Sequence, residues 1–386
     1  MKEKNRIEWL DGFKGIACVL IFIHHFLLAF FPSVHYGEAA VSHGNGVDVA
    51  LAQSPFSVLV NGNFLVALFC MISGVVISLQ VMNLKNKNDL ADVTVKRYFR
   101  LMLPLLPVGV LVFVLLRFGM FTNLESVLYT QSPWAELYYR EPISFGEFLK
   151  SVLIDTWFVG DDTLSTAFWM LSKLFYGTFL SIVLSVIVWK YEKHTWLLYA
   201  VVAICFFGRS DLLCAFALGT LLAWMYRSFP LLFSPFAGVP ILLLGLFLGG
   251  FPSGVVPTNA YRLLPGEISS VDWHVLGAVL TLYGLFSLPW LQRGLSIKPF
   301  RWLGRISYAV YLLHIPVLFG LSTAIFLWTK DRMGYLYSVG LSFGVSLLLL
   351  LVLSWGYHRV VEPLCVKAQR KILSWFCDSN ETRRGC

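Results

Sequence analysis

The stretch Leu10-Asp11-Gly12-Phe13-Lys14-Gly15-Ile16-Ala17-Cys18-Val19-Leu20-Ile21-Phe22-Ile23-His24-His25-Phe26 is apolar enough to cross a membrane, yet it carries a lysine and two adjacent histidines. Lys14 and His25 are eleven residues apart, which at about 100° per residue brings them within about 20° of one helix face. At about 1.5 Å per residue they stand about 16 Å apart along the axis, about half the hydrocarbon thickness of a bilayer. A cation and an imidazole on one stripe of a membrane helix must face protein or water, because lipid solvates neither. The stripe is read as lining a reaction path through the membrane.

Composition agrees with a membrane chain. Of 386 residues, 57% are hydrophobic and only 13% charged, about half the charged share of a soluble domain. The formal charge of +8 does not point to nucleic acid, because the bases sit in short clusters between apolar runs, as cytoplasmic anchors do. The seven cysteines show no paired spacing and are read as small packing residues, with no disulfide framework and no zinc site. The basic start and long first run lack a small-residue cleavage site, so this segment is expected to stay in the protein. Arg383-Arg384-Gly385-Cys386 is not a prenylation box.

Apolar runs of spanning length occur at about 10–31, 62–82, 99–118, 168–189, 273–291, 303–328 and 335–358, with shorter ones at 196–208, 212–226 and 236–251. Lys2, Lys4 and Arg6 precede the first run; Lys85, Lys87, Lys96, Arg97 and Arg100 separate the second from the third. Lys190 and Lys193 follow the fourth, Arg293, Lys298, Arg301 and Arg305 precede the ninth, and Lys367, Arg370 and Lys371 follow the last. By the positive-inside rule these loops are cytoplasmic. Only a hairpin at Arg209-Ser210-Asp211 keeps every basic cluster on that side. The predicted architecture is therefore an all-α integral membrane protein of about ten transmembrane helices with both termini cytoplasmic. Residues 1–363 form one transmembrane domain, and 364–386 a short basic cytoplasmic tail along the inner membrane surface.

Two segments, about 33–61 and 119–167, are then outside. Neither has strong periodicity, and they are rich in groups such as Trp134, Tyr138, Tyr139, Trp157, Asp161 and Asp162. Rings beside carboxylates can hold a sugar, and they are equally the make-up of an interfacial belt.

Four constellations carry candidate chemistry. His25 can act as a general base, since imidazole titrates near neutrality. The alternative is that Lys14 snorkels to the inner surface and His25 packs between helices, with His24 a competitor about 100° around the helix. Arg97 and Arg100, three residues apart, are helix-face neighbours able to grip phosphate, or else simple topology anchors. Ser307, Tyr311 and His314 fall at i, i+4 and i+7 on one stripe, where interhelical hydrogen bonding alone is a sufficient reason for them. Pro316 leaves the Leu312 carbonyl without its helical donor near His314. Glu362-Pro363 is expected to close the last helix on the inner side, its carboxylate within reach of an arginine. No phosphate-binding glycine loop, zinc-type histidine pair or serine elbow is visible, which leaves metal chemistry without support.

These residues resemble the acyltransferase-3 family of polytopic membrane acyltransferases. Leu10, Asp11, Gly12, Phe13, Lys14 and His25 match its opening signature, with Lys14 where arginine is usual. Phe69-Cys70-Met71-Ile72-Ser73-Gly74 is similar to its Phe-Phe-x-x-Ser-Gly block, and Arg97 and Arg100 to its basic block before a proline-containing helix. Trp169-Met170-Leu171 and Phe175-Tyr176-Gly177 resemble its fourth-helix block, which usually has Glu five residues after the Trp, where this chain has Leu174. Trp302 through Pro316 matches the late signature and Val361-Glu362-Pro363 the terminal one.

The resemblance implies transfer of an acyl group, commonly acetyl from acetyl-CoA, to a hydroxyl of an extracytoplasmic carbohydrate or glycolipid. Candidate acceptors are exopolysaccharide, lipopolysaccharide, cell-wall glycan and a lipid-linked precursor. It implies His25 and Lys14 as catalytic residues, Arg97, Arg100, Lys14 and Ser73 as donor-binding residues, and Tyr311, His314, Ser307 and Glu362 as further candidates. No metal enters. It also implies a multi-pass protein of a cell membrane, the bacterial cytoplasmic membrane, with membrane lipid as its surroundings and no nucleic acid as partner. Direct transfer and an acylated histidine both remain open. The rival reading is a transporter or channel for an anionic or sugar-like solute.

Overall fold

The computed structural model describes residues 7–84, 88–190, 197–198, 201, 211–257 and 260–382. Among them there are helices and no strands. The first half comprises α1 (Glu8–Phe30), α2 (Ser33–Tyr36), α3 (Val47–Gln53), α4 (Gly62–Met82), α5 (Asn88–Arg117), α6 (Asn123–Thr130), α7 (Phe145–Lys150), α8 (Thr156–Phe158) and α9 (Trp169–Lys190). The second half comprises α10 (Leu213–Ser228), α11 (Pro235–Gly249), α12 (Ser270–Ser287), α13 (Pro289–Leu295), α14 (Lys298–Pro316), α15 (Thr323–Met333) and α16 (Tyr335–Thr382).

Among the described residues, six helical stretches are long and apolar enough to cross a membrane: Glu8–Phe30, Gly62–Met82, Thr94–Arg117, Trp169–Val188, Lys298–Met333 and Tyr335–Ser374. α12 and α13, bent by 96°, make a seventh if taken as one span, and α10 and α11 are shorter apolar helices. Most of the run 196–208, the hairpin residues Arg209 and Ser210, and the bases Lys2, Lys4, Arg6, Lys85, Lys87 and Lys193 lie outside the described residues, so a count of ten does not follow from these helices. Cys205 and the terminal Arg383–Cys386 lie outside them too. Cys18, Cys70, Cys214 and Cys365 are free thiols.

Capping residues start several of these elements. Asn61 accepts the Phe64 N–H at 3.2 Å ahead of α4. Ser144 and Glu147 form a reciprocal capping box on α7. Ser269 accepts the Asp272 N–H at the head of α12.

The helix pair that places the site is α1 and α14. They run parallel, and glycines let their backbones touch. A Cβ on Gly15 would lie 2.4 Å from the Gly304 nitrogen, and one on Gly304 2.2 Å from the Asp11 carbonyl oxygen. Small residues at such contacts are how membrane helices gain van der Waals packing where no hydrophobic force drives them together. The register is constant: Cys18 faces the Ser307 carbonyl and His25 faces His314, both pairs 289 residues apart in sequence.

Two sequence expectations change. The segment 119–167, expected as a long outside segment without strong periodicity, contains several short helices. After α7 it continues through a π-helical turn, Ser151–Asp155, into α8, and this stretch runs back along α5. Phe148 packs on Phe113, Val152 lies over Gly109, and Trp157 meets Tyr98. Those contacts reach over fifteen residues of α5, about 22 Å of helix. Burial of Phe148, Val152 and Trp157, with the Trp157 Nε1–H donated to the Val152 carbonyl at 3.0 Å, accounts for the placement.

The second change is at Pro363, which does not close the last helix. α16 continues through it to Thr382. Proline removes one helical hydrogen bond, that to the Arg359 carbonyl. Outside contacts hold the helix on either side, with the Tyr357 hydroxyl on the Pro104 carbonyl and the Gln369 amide on the Lys96 carbonyl. Likewise Pro316 does not end its helix. Six π-helical residues, Val317–Ser322, carry it on into α15.

Candidate active site

His314 is buried, and its Nδ1 lies 2.6 Å from the Tyr311 carbonyl oxygen. A carbonyl can only accept, so Nδ1 carries the proton, and in a neutral ring Nε2 is then a lone-pair acceptor. That Nε2 faces His25 Nδ1 at 3.2 Å. His25 Nδ1 must therefore donate, which leaves its own Nε2 with a free lone pair. The Tyr311 carbonyl thus sets the His314 tautomer and, with the Ile21 carbonyl one turn back on α1, that of His25, the means by which a second partner fixes which imidazole nitrogen is basic.

An indole covers this pair. Trp134 stacks on the His25 ring with centroids 5.2 Å apart and planes at 22°, and Phe319 backs it at 5.1 Å. Trp134 is seated from both sides. Ser132 donates to the Leu28 carbonyl at 2.7 Å, and the Asn123 amide donates to the carbonyls of Ala135 and Tyr138, both at 2.8 Å. The Tyr138 hydroxyl donates to Asp162, whose carboxyl is pushed above its ordinary range by burial and by neighbouring Asp161 despite that bond.

His24 turns the other way. Its Nδ1–H donates to the Val60 carbonyl at 2.8 Å, and its ring stands 6.0 Å from that of His35. A small recess opens there, bordered by His24, His35, Ser57, Asn61 and Ser253. Burial holds His35 below its ordinary pKa, so it is neutral at pH 7.

The residues singled out from sequence fall into separate groups. His25, His314 and the Tyr311 backbone come together. The Tyr311 hydroxyl is instead donated to the Ala167 carbonyl at 2.5 Å. Ser307 turns its hydroxyl back to the Gly304 carbonyl at 3.0 Å and offers its own carbonyl to Cys18, so the stripe is three separate contacts rather than one polar wall. Lys14 lies one turn before Cys18 on α1, on the N-terminal side of the pair. Ser73 is buried in α4 beside Gly74, which rests on the Phe216 backbone.

Arg97 borders a narrow cleft with Tyr98 and Phe175, its Nε buried and unpartnered, while Arg100 is exposed. Glu362 binds His358 at 2.7 Å rather than an arginine, its other oxygen buried and unpartnered. One turn of α16 separates the two residues, so the histidine is the nearer partner. At the fourth-helix block, where Leu174 stands, the neighbouring Lys173 pairs with Asp211 at 3.2 Å.

Sequence reasoning named Trp134 only as one aromatic among several, and missed His35, Ser57 and Ser253. Their signal was weak: each is a single polar residue in a segment without periodicity.

Helices of membrane-spanning length enclosing a buried His314 and a half-buried His25 define an all-helical, multi-pass membrane protein. A family model described as an acyltransferase domain matches residues 7–355, and the chain belongs to that family, acyltransferase-3. It is similar to acyltransferase clz18 of Cochliobolus lunatus, 31% identical over 140 residues, which cover 33% of this chain and 30% of that protein. It is also similar to acyltransferase R4 of a Phoma species, 26% identical over 150 residues, covering 36% of this chain and 32% of the relative. The chain thus matches about a third of the length of each. No solved structure matches it.

Proposed function

We propose that this protein is a membrane O-acyltransferase that moves an acyl group, acetyl in the simplest case, from cytoplasmic acyl-CoA to a hydroxyl of an extracytoplasmic carbohydrate or glycolipid. The observation that carries the reading is the hydrogen-bonded file from the Tyr311 carbonyl through His314 to His25, which leaves His25 Nε2 basic. In the reaction, Nε2 takes the proton of the acceptor hydroxyl as its oxygen attacks the thioester carbonyl. The C–S bond then breaks, and the CoA thiolate recovers the proton from His25. His314 stays neutral and holds the ring.

The donor enters from the side of Lys14, Arg97 and Arg100, whose charges suit the CoA phosphates. Ser73 belongs to the donor side in this reading, and the acceptor comes from the side of Trp134 and His24. The setting is a cell membrane, the bacterial cytoplasmic membrane in the first instance.

The test is release of free CoA thiol from acetyl-CoA by the purified chain, with and without envelope glycan. Glycan-dependent release that His25→Ala abolishes is expected. Release unaffected by His25→Ala overturns the assignment, and solute flux without release makes the protein a transporter. Lys14→Arg is expected to retain release and Lys14→Ala to lose it.

A further inference from the structure

We propose that the recess beside His24 is the acceptor subsite and that it selects an uncharged, hydroxyl-bearing group; this rests on the acyl-transfer reading above. The recess has a volume of about 30 Å3. That exceeds the about 10–15 Å3 that a single water needs, so a hydroxyl on its carbon is admitted.

Its polar groups have mostly been assigned already. Ser57 donates to the Gly250 carbonyl at 2.7 Å. The Asn61 amide donates to the Phe251 carbonyl at 3.0 Å while its oxygen caps α4. What is left unused points to a ligand. The Ser253 hydroxyl is buried with no partner, and such a group is normally satisfied. His24 has committed Nδ1–H to the Val60 carbonyl, so in the neutral ring Nε2 is an acceptor.

A hydroxyl meets both needs. It donates to His24 Nε2 and accepts from Ser253. A carboxylate has no proton for the imidazole; an ammonium could donate both to His24 Nε2 and to the serine oxygen, so what disfavours a cation here is desolvation. Either ion would also be desolvated without an opposite charge, since among the described residues no Asp, Glu, Lys or Arg borders the recess. The location is apt for transfer. The His24 and His25 rings are 5.1 Å apart, and although His25 does not itself border the recess, a polyol anchored at His24 needs to extend only about one ring's width to bring a neighbouring hydroxyl to it. His24 and Ser253 are here binding residues, and His25 alone touches the reacting atoms.

Protection from diethylpyrocarbonate tests this without any turnover. The full chain in detergent is treated with the reagent, and modification of His24 and His35 is read by peptide mass spectrometry. Methyl glucoside, glucuronate and glucosamine, at equal concentration, serve as neutral, anionic and cationic probes. Methyl glucoside is expected to slow modification at least threefold and the charged sugars less than half as much. Equal protection by all three, or none by methyl glucoside, overturns the proposal.

Ser253→Ala removes one oxygen and is expected to keep the unprotected modification rate while losing the protection. Protection that survives this change also overturns it. In the thiol-release assay the same variant is expected to raise KM for the sugar at least fivefold and KM for acetyl-CoA less than twofold. Equal rises would overturn the subsite. Absence of thiol release altogether would overturn acyl transfer, while the protection data still decide what the recess binds.

Discussion

His25 Nδ1 and His314 Nε2 face each other at 3.2 Å across two parallel helices, in the register that also sets Cys18 against the Ser307 carbonyl. Because the Tyr311 carbonyl holds the proton of His314 on Nδ1, this contact acts together with the Ile21 carbonyl one turn back on α1 in deciding which nitrogen of His25 is basic. Removing His314 takes away one of the two partners of the His25 ring and leaves only the Ile21 carbonyl to hold its tautomer. His314→Ala is expected to lower kcat about 100-fold, within the usual range of a general-base contribution, with both KM values nearly unchanged. His314→Gln keeps a carbonyl oxygen that can accept from His25 Nδ1, and it is expected to recover about tenfold of that loss. Thiol-release kinetics compare the two; equal losses would mean that His314 does not act by orienting His25.

Trp134 contributes by packing rather than by proton transfer. Stacked aromatic pairs are worth about 0.5–1.5 kcal/mol beyond area burial, which corresponds to about two- to tenfold in rate when the stacked ring is the base. Trp134→Ala is therefore expected to reduce kcat by up to about tenfold, and Trp134→Phe to restore most of it. If instead Trp134→Ala acts on the acceptor KM alone, the indole holds the sugar and not the imidazole.

Much of this arrangement could be read from sequence, and the rest could not, for identifiable reasons. The apolar run after Leu10 announced a membrane helix, and helical geometry put Lys14 and His25 on one stripe. The i, i+4, i+7 spacing of Ser307, Tyr311 and His314 marked a second polar line. Their division of labour was hidden, since Ser307 turns its hydroxyl onto Gly304 and Tyr311 acts through its backbone. The meeting of His25 with His314 depends on a parallel register set by Gly15 and Gly304, which sequence shows only as two glycines far apart. The run of 145–158 along α5 was also invisible, because Phe148, Val152 and Trp157 owe their burial to α5 and its surroundings rather than to a long apolar run of their own. Glu362 was expected beside an arginine, yet its own helix supplies His358 one turn away.

The segment between α1 and α4 offers a pH test. Burial alone would push the Asp48 carboxyl up, but bonds from the Ser42 hydroxyl at 2.5 Å and the N–H groups of His43, Gly44 and Val49 at 3.0, 3.2 and 3.1 Å outweigh it. They hold it below its ordinary value. A depressed folded pKa gives stability that is fully present above the unfolded value of about 3.9 and is lost as pH falls through the folded one. His43, in the same loop, stacks on Tyr335 and binds the Thr130 carbonyl, so loosening Asp48 should loosen that corner. Asp48→Asn is expected to lower stability at pH 7 by about 1–3 kcal/mol, and to flatten the acid limb of the melting curve. Thermal melts from pH 7 to pH 3 check this; an unchanged acid limb would assign that limb to other carboxylates.

The last expectation concerns the glycines that set the register. A Cβ at Gly15 would meet the Gly304 nitrogen at 2.4 Å and the Leu303 carbonyl carbon at 2.5 Å, so the backbones must part. Overpacking of this kind costs about 1–3 kcal/mol, and here it also lengthens the contact between His25 and His314. Gly15→Ala is therefore expected to lose activity out of proportion to its fall in melting temperature. Gly344→Ala on α16, where a Cβ meets nothing within 4 Å, should leave both nearly unchanged. Separation can be read directly. Cys18 lies against the Ser307 carbonyl, so Ser307→Cys should form an oxidative crosslink to Cys18, and adding Gly15→Ala should reduce its yield. Undiminished crosslinking together with lost activity would show that Gly15 serves the site by some means other than holding α1 against α14.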